Sequence, residues 1–367
     1  MRKLTIDLNA VAQNLSTLRK LAGVKVLGVV KADAYGHGMV AVAKKLEAEG
    51  VDFIGVADLS EAVTLRSAGI TSRILAWLHD PQDDFVWAVK HEVDLAVSSK
   101  DQLLRIVKAS QQVGSAARIH IKVDTGLGRN GVTMAELEEL LVEVKRRVDE
   151  GLVVTSGIFS HLSSTGPVED LEQIANFDLA LAKAQELGLQ FEVRHLTATD
   201  GTLSYPQARY DMVRIGVGLY GLSPFSDNRA AEFGLLPAMK ASATVVQTKR
   251  VPAGSGVSYG YLYKTPTETT LALVPIGYAE GLPRNASGKA RVSINGREYV
   301  IHSRIAMDQF VVDVGNASVS PGDEVIIFGA AGLSADDLAD AAETINYEIV
   351  TRMGGRFQRE YIGLVEG

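Results

Sequence analysis

The chain has 367 residues, enough for two domains, and its 37 Lys+Arg against 44 Asp+Glu leave a formal charge of −7, which argues against a nucleic-acid or anionic-membrane surface. It contains no cysteine, so disulfides, thiolate catalysis and cysteine-ligated metals are excluded. The N-terminus meets Asp7 before any sustained apolar stretch, and no run approaches the ~18 apolar residues of a membrane span, so a cytoplasmic protein is expected.

Taken in chain order, short β-branched runs recur at 27–32, 52–57, 73–78, 93–97, 117–124, 153–161, 191–197 and 212–218. Between them lie amphipathic stretches such as 134–148, with Leu137, Leu140, Leu141 and Val144 at helical spacing. Eight strands alternating with helices predict a closed (β/α)8 barrel of the TIM type. An open doubly wound sheet is the competitor, weakened because no GxGxxG follows the first strand.

Near residue 236 the rhythm changes, and strand-like runs follow one another at 240–251, 257–263, 269–279, 290–295, 298–304, 309–314, 324–328 and 347–353. Turn signals at Asn295-Gly296 and Pro321-Gly322-Asp323 separate some of them. One helix is predicted over 334–343, with Ser334 as N-cap and Asp337 at the capping-box position. The fold class is thus α/β: a barrel over 1–235 and a mainly β domain over 236–367.

The chemistry-bearing residues fall at equivalent places in the barrel. Lys31, in VVKADAYGHG, stands where the first apolar run stops, and an amine there is a candidate to react with a carbonyl because desolvation frees its lone pair. Arg129 follows strand five, His161 ends strand six, Thr199 follows strand seven, and Arg214 with Gly216 lies in strand eight. In a parallel barrel these ends share the ligand-binding face. An amine, two arginines, a histidine, hydroxyls and glycine N–H groups suit pyridoxal 5′-phosphate held by Lys31. They do not suit a metal, since carboxylates and histidines are not grouped at ligand spacing.

The segments VVKADAYGHG, KVDTGLGRNG, HLTATDG, DMVRIGVGLYG, VSYGYLY, PIGYAEGLPR, RIAMDQ and INYEIVTR resemble, in order and spacing, the motifs of the alanine racemase family. The resemblance implies a fold-type III pyridoxal phosphate enzyme that interconverts L- and D-alanine and supplies D-alanine for bacterial peptidoglycan. Lys31 would hold the cofactor and act on the α-hydrogen of the D-enantiomer. Tyr259, lent by the neighbouring subunit of a head-to-tail homodimer, would act on the L-enantiomer. Arg214 would contact the pyridine nitrogen, and Tyr35, Thr199, Gly216 and Val217 the phosphate. Arg129 and the Met307 N–H would receive the substrate carboxylate. Lys122 matches a lysine carbamylated in many members, and Tyr278, Arg304 and Asp308 belong to the substrate entryway.

A free phenol ionises near pH 10, so a phenolate near neutrality costs about 4 kcal/mol unless cations assist it; His161 and Arg214 are the candidate cations. Ala306 stands where many members carry cysteine, Glu280 lengthens a usual aspartate, and Ala198 replaces a frequent asparagine. Gly355 stands where many members place a phosphate-binding tyrosine. A pyridoxal phosphate decarboxylase is disfavoured by the missing cysteine and by Arg214. A non-catalytic cofactor carrier is disfavoured by the β domain with its Tyr259. Racemisation of serine remains open, since one hydroxymethyl against one methyl is a small difference for a pocket.

Overall fold

The computed structural model describes residues 1–330 and 332–365. Two compact units emerge. One comprises Leu15–Ala32 and Met39–Leu219; the other comprises Met1–Asn14, Asp33–Gly38 and the chain from Tyr220 onward. By packing, the chain from Tyr220 onward and strand β1 (Arg2–Asp7) belong to the same unit.

The first unit is built on β2 (Lys25–Val29), β3 (Phe53–Val56), β4 (Ile74–Ala76), β5 (Val93–Val97) and β6 (Ala117–Asp124). After a two-residue β7 (Val132–Thr133) beside β6 come β8 (Val153–Phe159), β9 (Val193–His195) and β10 (Met212–Ile215). The eight long-path strands run parallel in the order β10-β2-β3-β4-β5-β6-β8-β9. β10 returns to β2, with Arg214 opposite Leu27. The remaining seam is bridged where the Arg214 N–H donates to Thr197 O and the Asp211 N–H to Arg194 O, each at 3.0 Å. The predicted barrel is present. Its strands are buried almost throughout, as parallel strands covered on both faces must be.

Helices fill the intervals as the periodicity predicted. Leu137–Asp149 buries Leu137, Leu140, Leu141 and Val144, each contributing about 1.5–3 kcal/mol by burial. Lys100–Val113 begins where Ser99 accepts from the Gln102 N–H and ends at Gly114, which is left-handed. No described helix is long and apolar enough to cross a membrane.

The second unit contains β11 (Met239–Thr244), β12 (Gln247–Val251), β13 (Gly256–Val257), β14 (Tyr263–Lys264) and β15 (Thr269–Val274). It continues with β16 (Arg291–Ile294), β17 (Arg297–Val300), β18 (Phe310–Gly315), β19 (Glu324–Phe328) and β20 (Gln358–Ile362). Six strands form one sheet in the order β17-β16-β19-β11-β1-β20, and β12-β15-β18 form another. The turn between β16 and β17 has Asn295 at φ 51° and Gly296 at φ 75°, the positive pair a two-residue hairpin demands. The helix Ala335–Ala342 has the predicted capping box of Ser334 and Asp337.

Three expectations fail here. The expected strand 257–263 is a short hairpin, in which β13 and β14 pair antiparallel across a 3-10 turn at Tyr259–Tyr261, because the positive φ at Ser258 and Gly260 breaks extended backbone. Residues 347–353 were expected as a strand, but Asn346–Arg352 is a helix. Its buried residues, Asn346, Ile349 and Val350, stand at i, i+3 and i+4, so helical packing overrides β-branched propensity. The expected single strand 240–251 is two strands in different sheets, β11 and β12.

Candidate active site

Lys31 follows β2 and opens an unusual turn. Ala32, Asp33, Ala34 and Tyr35 all have φ between 53° and 55°, a left-handed turn built without glycine, at about 1–2 kcal/mol per residue. Its framework is dense. The Gly38 N–H donates to Asp33 O at 2.8 Å, and Arg359 pairs with Asp33 at 2.6 Å. His37 Nδ1 donates to the carbonyls of Ala34 and Tyr35. A Cβ on Gly36 would lie 2.4 Å from Val350 O, so this glycine is required by space as well as by its φ of 80°.

The barrel's strand ends carry four cations. Lys31, Lys122, Arg129 and Arg214 form no ion pair among the described residues. Burial, then Arg129, lowers the Lys31 amine, with Glu61 opposing. Lys122 on β6 is buried and falls to about 8 through burial, then Arg214, Arg129 and Lys31. Its Nζ lies over the Phe159 ring at 5.5 Å, while Lys31 Nζ lies 5.9 Å from the Trp77 ring centroid. Arg129 is exposed on the loop after β6. Unpaired, partly desolvated cations of one sign are costly unless an anion joins them.

Arg214 on β10 is almost fully buried. Its Nη2 donates to Ser160 O and Leu196 O at 2.8 Å and to His161 Nδ1 at 3.0 Å. Its Nη1 donates to His195 O and His195 Nδ1 at 3.2 Å. Burial lowers the guanidinium to about 10, so it remains a cation. His161 is different: burial and the facing cations, Arg214 foremost, push its imidazole down to about 2. The expectation that His161 supplies positive charge is therefore corrected, because it is a neutral acceptor for Arg214.

Thr199 opens the short helix Thr199–Ser204, and its Oγ1 accepts from the N–H groups of Gly216 (3.3 Å) and Gly218 (3.4 Å). A Cβ on Gly218 would meet Thr199 Cγ2 and Leu18 Cδ1 at 2.8 Å. Val217 is buried beside them in sequence. Tyr35 is buried in the other unit against Tyr220 and Tyr347, and burial pushes its phenol up, so it is a neutral donor.

In the C-terminal unit Tyr259, Tyr261, Leu262, Tyr278 and Met307 are 72, 63, 58, 44 and 54% exposed. Tyr259 sits between Ser258 (φ 58°) and Gly260 (φ 71°), and Ser258 Oγ donates to Arg304 O at 2.9 Å. Arg304 Nε is buried without a partner. The segment bearing Met307 is strapped to the 277–281 turn: the Tyr278 N–H donates to Ala306 O and the Ala279 N–H to Met307 O.

Glu280 explains its extra methylene. Its buried carboxylate accepts from the Gly277 N–H at 3.0 Å and pairs with Arg356, which also holds Asp308 at 2.7 Å. At Gly355, φ is 61° and a Cβ would lie 2.6 Å from Ala279 O, so this backbone has no place for a tyrosine. Sequence reasoning missed Asp94, His120 and His195, buried polar residues behind Arg214. Their signal was the alternation Arg118-Ile-His120-Ile-Lys122, which puts three polar side chains on one face of a strand.

Residues 6–224 match the family model for the alanine racemase N-terminal domain, and residues 238–361 that for the alanine racemase C-terminal domain. The chain is 44% identical over 367 residues to the alanine racemase of Thermobifida fusca, covering 98% of each. It is 43% identical to that of Mycobacterium avium, covering 97% of this chain and 94% of the relative. The solved alanine racemase from D-cycloserine-producing Streptomyces lavendulae aligns at TM-score 0.97 and 43% identity, with 99% of this chain and 97% of that one covered. That from Streptomyces coelicolor A3(2) aligns at 0.96 and 41%, with 99% and 98% covered. With both domain models matched in order and relatives alike over nearly their whole length, this chain belongs to the alanine racemase family.

Proposed function

We propose that the protein is a cytoplasmic, pyridoxal phosphate-dependent alanine racemase, active as a head-to-tail homodimer, that supplies D-alanine for peptidoglycan. The observation that carries this reading is the set of unpaired cations Lys31, Lys122, Arg129 and Arg214 at the barrel's strand ends. They call for a ligand with a phosphate, a carboxylate and an amine-reactive carbonyl, and the residues present fit pyridoxal 5′-phosphate with a small amino acid. When bound, that cofactor supplies an electron-withdrawing ring that acidifies the substrate's α-carbon.

The chain's own residues do the rest. Lys31, lowered by burial, holds the cofactor and then moves a proton at the α-carbon on one face. Tyr259, from a second copy, moves a proton at the same atom on the opposite face, so the centre inverts. Arg214 can only donate, so it would hold the pyridine nitrogen as a hydrogen-bond acceptor rather than protonate it. Thr199 has its oxygen engaged by two backbone N–H groups; its hydroxyl hydrogen is left for the phosphate, joined by Tyr35 and the backbone at Gly216 and Val217. Arg129 and the Met307 N–H take the substrate carboxylate. Tyr278, Arg304 and Asp308 line the approach.

Lys122 at about 8 holds enough free amine near neutrality to add carbon dioxide, forming an N–C bond and releasing one proton. The resulting carbamate gives Arg129 an anionic partner. Carbon-13 NMR after incubation with labelled bicarbonate should show a carbamate signal that Lys122→Ala abolishes; a signal unchanged by that variant retires the assignment. Chiral analysis of products from L-alanine and L-serine tests the reaction itself. D-alanine should form only with pyridoxal phosphate and be favoured over D-serine; no D-alanine, or faster turnover of serine, contradicts the reading.

A further inference from the structure

Behind Arg214 runs a chain of buried side chains whose hydrogen bonds can point only one way. A guanidinium only donates, so His195 Nδ1, 3.2 Å from Arg214 Nη1, is an acceptor. The proton of neutral His195 is then on Nε2, which faces His120 Nδ1 at 3.0 Å. His120 in turn carries its proton on Nε2, 3.1 Å from Asp94 Oδ2. Asp94, His120 and His195 are all fully buried.

The far end is anchored. Arg73 meets Asp94 Oδ2 at 2.5 Å and Arg118 meets Oδ1 at 2.8 Å. Burial alone would raise the Asp94 carboxyl, but His120, Arg73 and Arg118 together hold it below its ordinary value. Burial and Arg214 drive His195 well below its ordinary value. The His195 ring is further fixed by Phe159, stacked 4.7 Å away and 4° from parallel. Space for the middle of the chain comes from Gly157 on β8, where a Cβ would lie 2.2 Å from His120 Nδ1.

We propose that Asp94, His120 and Gly157 are positioning residues that fix the donor direction of Arg214 through this one-way chain. The Asp94 carboxylate sets the His120 tautomer, that tautomer sets His195, and His195 fixes one edge of the guanidinium so that its remaining N–H aims at the ligand. The purpose rests on Arg214 meeting the cofactor's ring nitrogen; the chain itself does not.

Nitrogen-15 NMR of histidine-labelled holoenzyme reads the chain directly. His120 and His195 should both carry the proton on Nε2; a proton on Nδ1 of either overturns the proposal. His120→Phe breaks the chain, and Gly157→Ala displaces the ring without removing it. Both should lower kcat about tenfold with KM within about twofold, and should shift the pH dependence of the bound cofactor's visible absorbance. His120→Gln, whose amide both accepts and donates, should restore most of each. Variants that lose only thermal stability, with absorbance profile and kcat like the parent, overturn the proposal. An absorbance profile unmoved by Arg214→Lys overturns Arg214 as cofactor partner and the proposed purpose with it, while the tautomers still decide whether the chain exists.

Discussion

Lys122 and Lys31 share one problem: an ammonium held in a partly dry site among other cations. For Lys122 the consequence has a definite sign. Its folded value, about 8, lies below the ordinary 10.5, so between those values the unfolded chain holds a proton that the folded chain has released. Stability therefore rises with pH through that window and falls away as pH drops through about 8. Compared with Lys122→Met in buffer free of carbon dioxide, the parent should gain about 1–3 kcal/mol between pH 7 and 10, read from urea unfolding at each pH. Parallel curves would show that Lys122 is charged when folded. Lys31→Ala, by contrast, should abolish the visible absorbance of bound cofactor, and absorbance persisting through another lysine would refute Lys31 as the anchor. Of these residues Lys31 is legible from its place at a strand end. His120 is not, because inside ARIHIKVD it reads as a satisfied core histidine until the strands beside it are known.

Among the elements, the turn at Ala32–Tyr35 holds four consecutive non-glycine residues at positive φ, and these residues and the glycine that follows them make opposite predictions. Ala32 is exposed with φ 53°, so Ala32→Gly loses no burial and relieves a left-handed Cβ, stabilising by about 1 kcal/mol. Gly36→Ala places a methyl 2.4 Å from Val350 O and should destabilise by about 2 kcal/mol or more. Thermal melts of the pair check both; a stabilising Gly36→Ala would mean the turn is not held as described. The eight barrel strands were legible because apolar β-branched runs bounded by turns recur with helices between them. Strands β1 and β20 were not, since RKLTID and QREYI are half polar and pair with each other only across the whole chain. The helix Asn346–Arg352 was misread because seven residues rich in β-branched and aromatic types carry too little periodicity to betray a helix.

At the scale of the whole molecule, Tyr259 is the residue that a single chain does not explain. It stands 72% exposed on a turn with positive φ at Ser258, Gly260 and Tyr261, and only the family resemblance suggested a role for it in the sequence. Tyr261 and Leu262 beside it in sequence are exposed as well, and among the described residues its hydroxyl has no hydrogen-bond partner, which suits the proposed service to a second copy. Under the proposed function the β domain would take part in catalysis as well as folding, and each site would draw on two chains. Mixing the inactive variants Lys31→Ala and Tyr259→Phe, with subunits exchanged, tests this directly. If Tyr259 is lent across the dimer, each hybrid contains one intact site, and a random mixture should recover about a quarter of parental racemase activity. If lysine and tyrosine come from the same chain, no hybrid site is intact, and activity that stays at the level of the separate variants would contradict the account.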